Sequence, residues 1–161
     1  MDAIQLLTDQ HRMLEERFDA AVEAEDPRER AALAAEVGDH LAIHVTAEED
    51  VFYPAVKARR TEDILLESLE EHLSLKRLLA DLLELPADDP TYEAKLKVLR
   101  EQTEHHHQEE EEHLFPAVRK CMDADQLEAL GREMLMCQKR LLREGQPRDS
   151  VAGQTEKAAS L

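Results

Sequence analysis

HVTAEEDVFYPAV (residues 44–56) returns 62 residues later as HHQEEEEHLFPAV (residues 106–118). In the shared register His44 falls on His106, Glu48 on Glu110 and Glu49 on Glu111, and Phe52-Tyr53-Pro54-Ala55-Val56 falls on Leu114-Phe115-Pro116-Ala117-Val118. The segments upstream match less tightly: His11-Arg12-Met13-Leu14 resembles His72-Leu73-Ser74-Leu75 at an offset of 61. Each half therefore has the form His, break, His-x-x-x-Glu, aromatic, Pro. Two such helical hairpins packed face to face make a pseudo-twofold bundle.

Helical periodicity extends outward from this repeat through most of the chain. Leu7, His11, Leu14, Phe18 and Val22 lie on one face of a first helix. Asp26-Pro27 supplies an N-cap and a first-turn proline for a second helix, expected to run to about Lys57 with Pro54 kinking or closing it. Thr61 is the expected N-cap of a third helix, striped by Leu65, Leu69, His72, Leu75, Leu79 and Leu83. Pro86-Ala87-Asp88-Asp89-Pro90 breaks the chain before a fourth helix, from about Thr91 to Lys120. The fold class is all-α: an antiparallel up-down four-helix bundle of two pseudo-repeated hairpins. A shorter fifth helix spans roughly residues 125–143. Residues 1–143 form the domain, and residues 144–161, rich in small and polar residues, read as a disordered, flexible tail.

Composition removes several function classes. The chain has 161 residues and a formal net charge of -17, so it lacks the basic face that a nucleic-acid binder needs. Aromatics are 3% with no Trp, which leaves no stacking platform for bases. Only Gly38 precedes Gly131, so there is no glycine-rich phosphate loop. No apolar run approaches a membrane span. Cys121 and Cys137 form neither a CxxC motif nor a disulfide framework. With no basic and apolar leader at the N-terminus, a cytoplasmic location is expected.

The spacing carries chemistry. Residues four apart on a helix lie about 40° apart around its axis, so His44 and Glu48 address one point. Five His-x-x-x-Glu pairs occur among so many acids, and the repeat register selects two of them. His11 lies 15 residues before Asp26 and His44 lies 17 after Pro27, so both sit roughly 24 Å from one end of the bundle. His72 and His106 stand at a similar height in the second hairpin. One inward imidazole from each of four helices, with Glu48 and Glu110 one turn on, would be costly in an apolar core unless they held cations. His105, His107 and His113 belong to a polar run and read mainly as solvated. His40, one turn before His44, is a candidate assisting residue, as are Glu49, Tyr53, His107 and Glu111.

The donors narrow the metal. No thiolate lies in register, which disfavours structural zinc, and an all-oxygen shell is lacking, which disfavours calcium or magnesium. Mixed imidazole and carboxylate donors in a bundle core suit iron, with manganese second. Two carboxylates able to bridge point to a binuclear centre.

At these residues the chain resembles the hemerythrin family, specifically its HHE cation-binding branch, over about residues 1–120. The resemblance implies an up-down four-helix bundle and a non-haem di-iron centre with an oxo or hydroxo bridge. By the same resemblance His11, His44, His72 and His106 would be terminal ligands, and Glu48 and Glu110 bridging carboxylates. Oxygen-carrying hemerythrins have a second His one turn after the third-helix His; the position here is Lys76, so the ligand set is closer to the HHE branch.

The expected function is a di-iron protein that binds or senses a small oxidant (oxygen, peroxide or nitric oxide), with slow peroxide turnover a possible addition. The alternatives are a non-catalytic iron buffer or stress-response protein, and a metal-free helical interaction module. The expected partner is a small diatomic molecule or peroxide, with no nucleic acid and no membrane.

Overall fold

Short-range capping sets the helix starts. In the computed structural model, which describes residues 1–161, α1 (Ala3–Glu23) begins where the Asp2 side chain accepts from the Gln5 backbone N–H. Three residues later α2 (Pro27–Ala47) begins with Asp26 accepting from the Glu29 N–H and Pro27 in the first turn. Then come α3 (Tyr53–Val56), α4 (Glu62–Glu84), α5 (Tyr92–Glu109), α6 (Phe115–Cys121) and α7 (Ala124–Glu144). Asp123 and Gln126 close a reciprocal capping box at the start of α7. Thr61 precedes α4 as expected but does not cap it. Its hydroxyl accepts from the Ala58 N–H and donates back to the Val56 carbonyl, so it ties the preceding loop instead.

The second and fourth predicted helices are each continuous in path but pass through a π-helical turn, Glu48–Phe52 and Glu110–Leu114. Tyr53 N–H reaches back five residues to the Glu48 carbonyl, and Phe115 N–H reaches back to Glu110. The cause is local. Pro54 and Pro116 have no N–H to give to residues 50 and 112, and their rings would collide with those carbonyls in a regular helix. Widening each turn by one residue removes the collision, and bulges of this kind concentrate at functional sites.

The long helices form an all-helical bundle. α1 packs against α2 and α5, and α4 packs against α5 and α2. Two apolar clusters fill the interior. One contains Leu7, Phe52, Leu65, Leu69, Leu114 and Phe115, and the other contains Leu14, Phe18, Leu41, Leu75, Leu79, Leu96 and Leu99. On α1 and α4 a histidine separates them in sequence: His11 between Leu7 and Leu14, and His72 between Leu69 and Leu75. α7 lies on α1 and α2 and buries Leu127, Leu130 and Met134 in the first cluster. The approach is close enough that a Cβ on Gly131 would come within 2.7 Å of the Met1 carbonyl oxygen. No helix is long and apolar enough to cross a membrane.

The C-terminal segment departs from expectation. Residues expected to form a flexible tail instead form a 3-10 helix, Pro147–Gln154, laid against α2 and α4. Val151 is buried in the second cluster, among Leu41, Leu75 and Leu79. Arg148 pairs with Asp39 at 2.7 Å, and the Arg77 guanidinium donates to the Thr155 and Glu156 carbonyls. Composition suggested disorder, but one apolar anchor and two arginine clamps are enough to offset the ordering entropy of a short segment. Val151→Ala is expected to lower stability by about 1–2 kcal/mol. A thermal melt would then show a midpoint several degrees lower, whereas an unchanged midpoint would mean the anchor contributes nothing.

Candidate metal centre

Between the two apolar clusters lies a polar layer. His11 of α1, His44 of α2, His72 of α4 and His106 of α5 meet there with Glu48 and Glu110, all 1% exposed or less. His72 Nε2 lies 3.0 Å from His106 Nε2 and 3.0 Å from Glu48 Oε2. His44 Nε2 is 3.3 Å from Glu48 Oε1, His106 Nε2 is 3.3 Å from Glu110 Oε1, and His11 Nε2 is 3.4 Å from Glu110 Oε1. Separations near 3 Å are those of neighbouring donors around one cation, since two bonds of about 2.1 Å at a right angle end about 3 Å apart.

Three of the other ring nitrogens are held from outside. His11 Nδ1 is 2.8 Å from Glu111 Oε1, whose second oxygen takes a bond from Arg12 at 2.5 Å. His44 Nδ1 is 2.9 Å from Gln10 Oε1, itself bonded to Gln138 of α7 at 3.1 Å. His106 Nδ1 is 3.2 Å from Glu71, and His72 Nδ1 is 3.8 Å from Glu49. For His11, His44 and His106 the acceptor at Nδ1 keeps a proton there and turns Nε2 inward, the arrangement by which outer partners orient metal-binding imidazoles, whereas His72 Nδ1 makes no hydrogen bond. Glu49 is buried and bound by Lys76, so an ammonium occupies the place one turn after His72 and neutralises the acid next to Glu48.

Tyr53 enters the middle of this layer. Its hydroxyl donates to Glu110 Oε2 at 2.9 Å and lies 3.1 Å from His72 Nε2 and 3.4 Å from Glu48 Oε2. The π turn after Glu48 is what aims it there. Burial, with Glu110 and Glu48 alongside, holds the phenol well above its ordinary pKa, so it stays a hydrogen-bond donor. Burial would raise Glu48, but His44 and His72 outweigh it and hold the carboxylate ionised. Burial would lower His11 and His72; the carboxylates Glu110 and Glu111, and Glu48 and Glu49, outweigh it and hold both imidazoles up at about 9.

Donors remain without partners. His11 Nε2, His44 Nε2, His72 Nδ1, His107 Nε2, Glu48 Oε1 and Glu110 Oε1 are buried and make no hydrogen bond; the contacts of 3.3–3.4 Å above lack hydrogen-bond geometry. An orphaned buried polar atom costs on the order of 1–3 kcal/mol, and this concentration of them fits cation binding. The donor atoms fall into overlapping groups: His11, His44, Glu48 and Glu110; Glu48, His72 and His106; and His11, His44 and His107. The residues chosen from spacing thus come together.

The model that matches this sequence is the Hemerythrin HHE cation binding domain, over residues 2–118. The chain belongs to the hemerythrin HHE cation-binding family. The HHE match ends at Val118, so α7 and the C-terminal 3-10 helix lie outside it. They do have a structural counterpart. The crystal structure of a hemerythrin HHE cation binding domain-containing protein, the Rv2633c homolog from Mycobacterium kansasii, superposes with a TM-score of 0.77 and 26% identity, covering 96% of this chain and 91% of that one. No curated protein matches.

Within this HHE domain two expectations need correction. His40 is half-buried and lies among Arg17, Glu36 and Asp39, so it does not assist the cluster. One turn nearer the α1–α2 connection is already outside the polar layer. His107, read mainly as solvated, is buried and stacks on His11 with ring centroids 3.8 Å apart. Burial, with His11 and His44 nearby, keeps it neutral. His105 and His113 are exposed as expected. Gln10 and Glu71 escaped the sequence reading, although each adjoins a selected histidine in sequence.

Proposed function

We propose that this HHE-family protein is a non-haem di-iron protein of the cytoplasm that binds or senses a small oxidant such as oxygen, peroxide or nitric oxide. His11, His44, His72 and His106 would hold the two ions, with Glu48 and Glu110 shared between them. The observation that carries the reading is the set of inward, unpartnered Nε2 and carboxylate atoms in a layer sealed above and below by apolar side chains. Two iron ions held there would supply one-electron redox chemistry and an exchangeable coordination position. The chain's own residues set the conditions. Tyr53 Oη presents a hydrogen-bond donor to whatever occupies the space between Glu48, His72 and Glu110. Phe52, Leu114 and Phe115 keep water from one side. Lys76 compensates Glu49 and spares the centre a further negative charge.

The scale of the acidic surface, with a net charge of -17, favours a second use of the same residues as a non-catalytic iron buffer. Protein produced in iron-rich medium is expected to contain about two irons per chain and to show charge-transfer absorption that changes on adding peroxide. Less than half an iron per chain with no such absorption defeats the di-iron reading. Iron that leaves on mild chelation while peroxide persists unchanged favours the buffer.

A further inference from the structure

The polar layer is sealed above and below by apolar side chains, so an ion must reach it from a flank. A pocket between α4 and α5, lined by Glu71, Glu101 and His105, touches none of the six residues of the layer. Nor does the pocket beneath the C-terminal segment, which is lined by Lys76 and Lys157. A cation entering there meets the Lys76 ammonium on Glu49.

The flank between α1 and α5 is different. A polar pocket of about 280 Å³ opens to solvent there, with His11 of the layer in its wall. Three carboxylates, Glu15, Glu104 and Glu111, line it against one guanidinium, Arg12. Asp19 and Glu101 stand close enough to Glu104 to deepen the negative field. Arg100, the opposing charge, is paired with Asp19 at 3.4 Å. Arg12 lies across the mouth, 3.3 Å from Glu15 and 2.5 Å from Glu111. Its side chain is 56% exposed, so it is free to swing into water and release both acids. Further in, His107 lines the same pocket and is 5% exposed, with no hydrogen bond to its Nε2. It stacks face to face on His11, centroids 3.8 Å apart. Rings stacked in this way present their nitrogens side by side, so His107 stands beside the layer and not among its ligands.

We propose that this mouth is where a divalent transition-metal cation enters the protein. Glu15 and Glu104 capture the hydrated ion, Arg12 gives way to it, and His107 is the last donor it meets before the layer. Carboxylate followed by imidazole suits such an ion. A cleft lined by one sign of charge raises the on-rate of an oppositely charged ligand, an effect that salt removes. The assignment rests on the cation-binding reading above and concerns the path, not the final ligands.

Stripped protein mixed with cobalt(II) in a stopped-flow instrument tests it, since ligand-field absorption reports both the rate of uptake and the final occupancy. Glu15→Gln/Glu104→Gln is expected to load at least about fivefold more slowly at low salt. Arg12→Gln is expected to load faster, and both should reach the wild-type spectrum and stoichiometry. A general disturbance of structure would not move the two in opposite directions. Glu128→Gln/Glu133→Gln, on exposed positions of α7, changes the net charge equally and should load as wild type does. Raising salt from about 0.01 M to about 1 M shortens the screening length from roughly 30 Å to roughly 3 Å and should erase these differences. His107→Phe keeps a ring on His11 without its nitrogens and should load slowly at either salt concentration, again with the wild-type end point. Wild-type rates in the Glu15/Glu104 pair or in His107→Phe overturn the route. So does a lower final occupancy, which would make the altered residue a resting ligand. If His107→Phe fails to fold by circular dichroism, the exposed Glu15/Glu104 pair decides alone. A wild type that takes up no cobalt defeats the cation reading itself, and the route with it.

Discussion

Glu48→Gln is expected to hold at most one iron per chain where the unaltered protein holds about two. Glu48 is the only residue that belongs to both the His11/His44 group and the His72/His106 group of donor atoms. Its two oxygens divide between them, Oε1 toward His44 and Oε2 toward His72. An amide keeps the shape and keeps an acceptor for the Tyr53 hydroxyl. It loses the charge that lets one side chain serve two cations. The loss in affinity for the second ion should exceed about 100-fold, the upper end of what removing an outer partner costs a metal site. Metal analysis after gel filtration reads the outcome directly. Glu112→Gln, three residues beyond Glu109 on the exposed side of the same acidic run, should retain both ions. Two tightly held irons in Glu48→Gln would mean that this carboxylate is not shared.

The second large effect is on stability. Chelator-stripped protein must bury Glu48, Glu110 and five imidazoles with several donors unpartnered, whereas a cation uses those same atoms. A ligand that binds only the folded chain adds about 4 kcal/mol at a free concentration 1,000 times its Kd. For a chain of this size that corresponds to a melting temperature about 8–16 °C higher. Differential scanning calorimetry with and without ferrous iron under anaerobic conditions measures it. Replacing His11, His44, His72 and His106 together by Leu should reverse the relation. The stripped variant should melt above the stripped parent, because an apolar core is cheaper than an unpaired polar one, and iron should no longer raise it. A parent whose midpoint is indifferent to iron would remove the cation from its role in the fold.

Much of this was legible because helical period and repeat register act together. His44/Glu48 and His106/Glu110 stood out from other His-x-x-x-Glu pairs only through the 62-residue offset, and the structure brings these residues into one layer. The helix starts at Asp26 and before Tyr92 followed from capping and proline chemistry that depends on a few adjacent residues. What was not legible depends on neighbours distant in the chain. His107 sits in a run of polar residues, and nothing local reveals that α5 lies between α1 and α4 so that two successive side chains both face inward. Val151 anchors a segment whose other residues resemble solvent-exposed chain, and its pocket is built by Leu41, Leu75 and Leu79. Pro54 and Pro116 announced a distortion in their helices, but not that the hydrogen-bond ladder would slip by one residue while the helix axis continued.

That slip makes the chain intolerant of length changes at two short places. Adding a single residue within 49–51 would exceed what the widened turn already absorbs, rotating everything beyond it by about 100° and pushing it on about 1.5 Å. His44 and Glu48 would keep their stations, while the phenol ring of Tyr53 would swing off the axis on which it is now trained. The same lengthening in 111–113 would misdirect Phe115 and leave His106 and Glu110 where they stand. Spacing on the two sides of each bulge is thus fixed separately, as with two gears on one shaft locked by a single key.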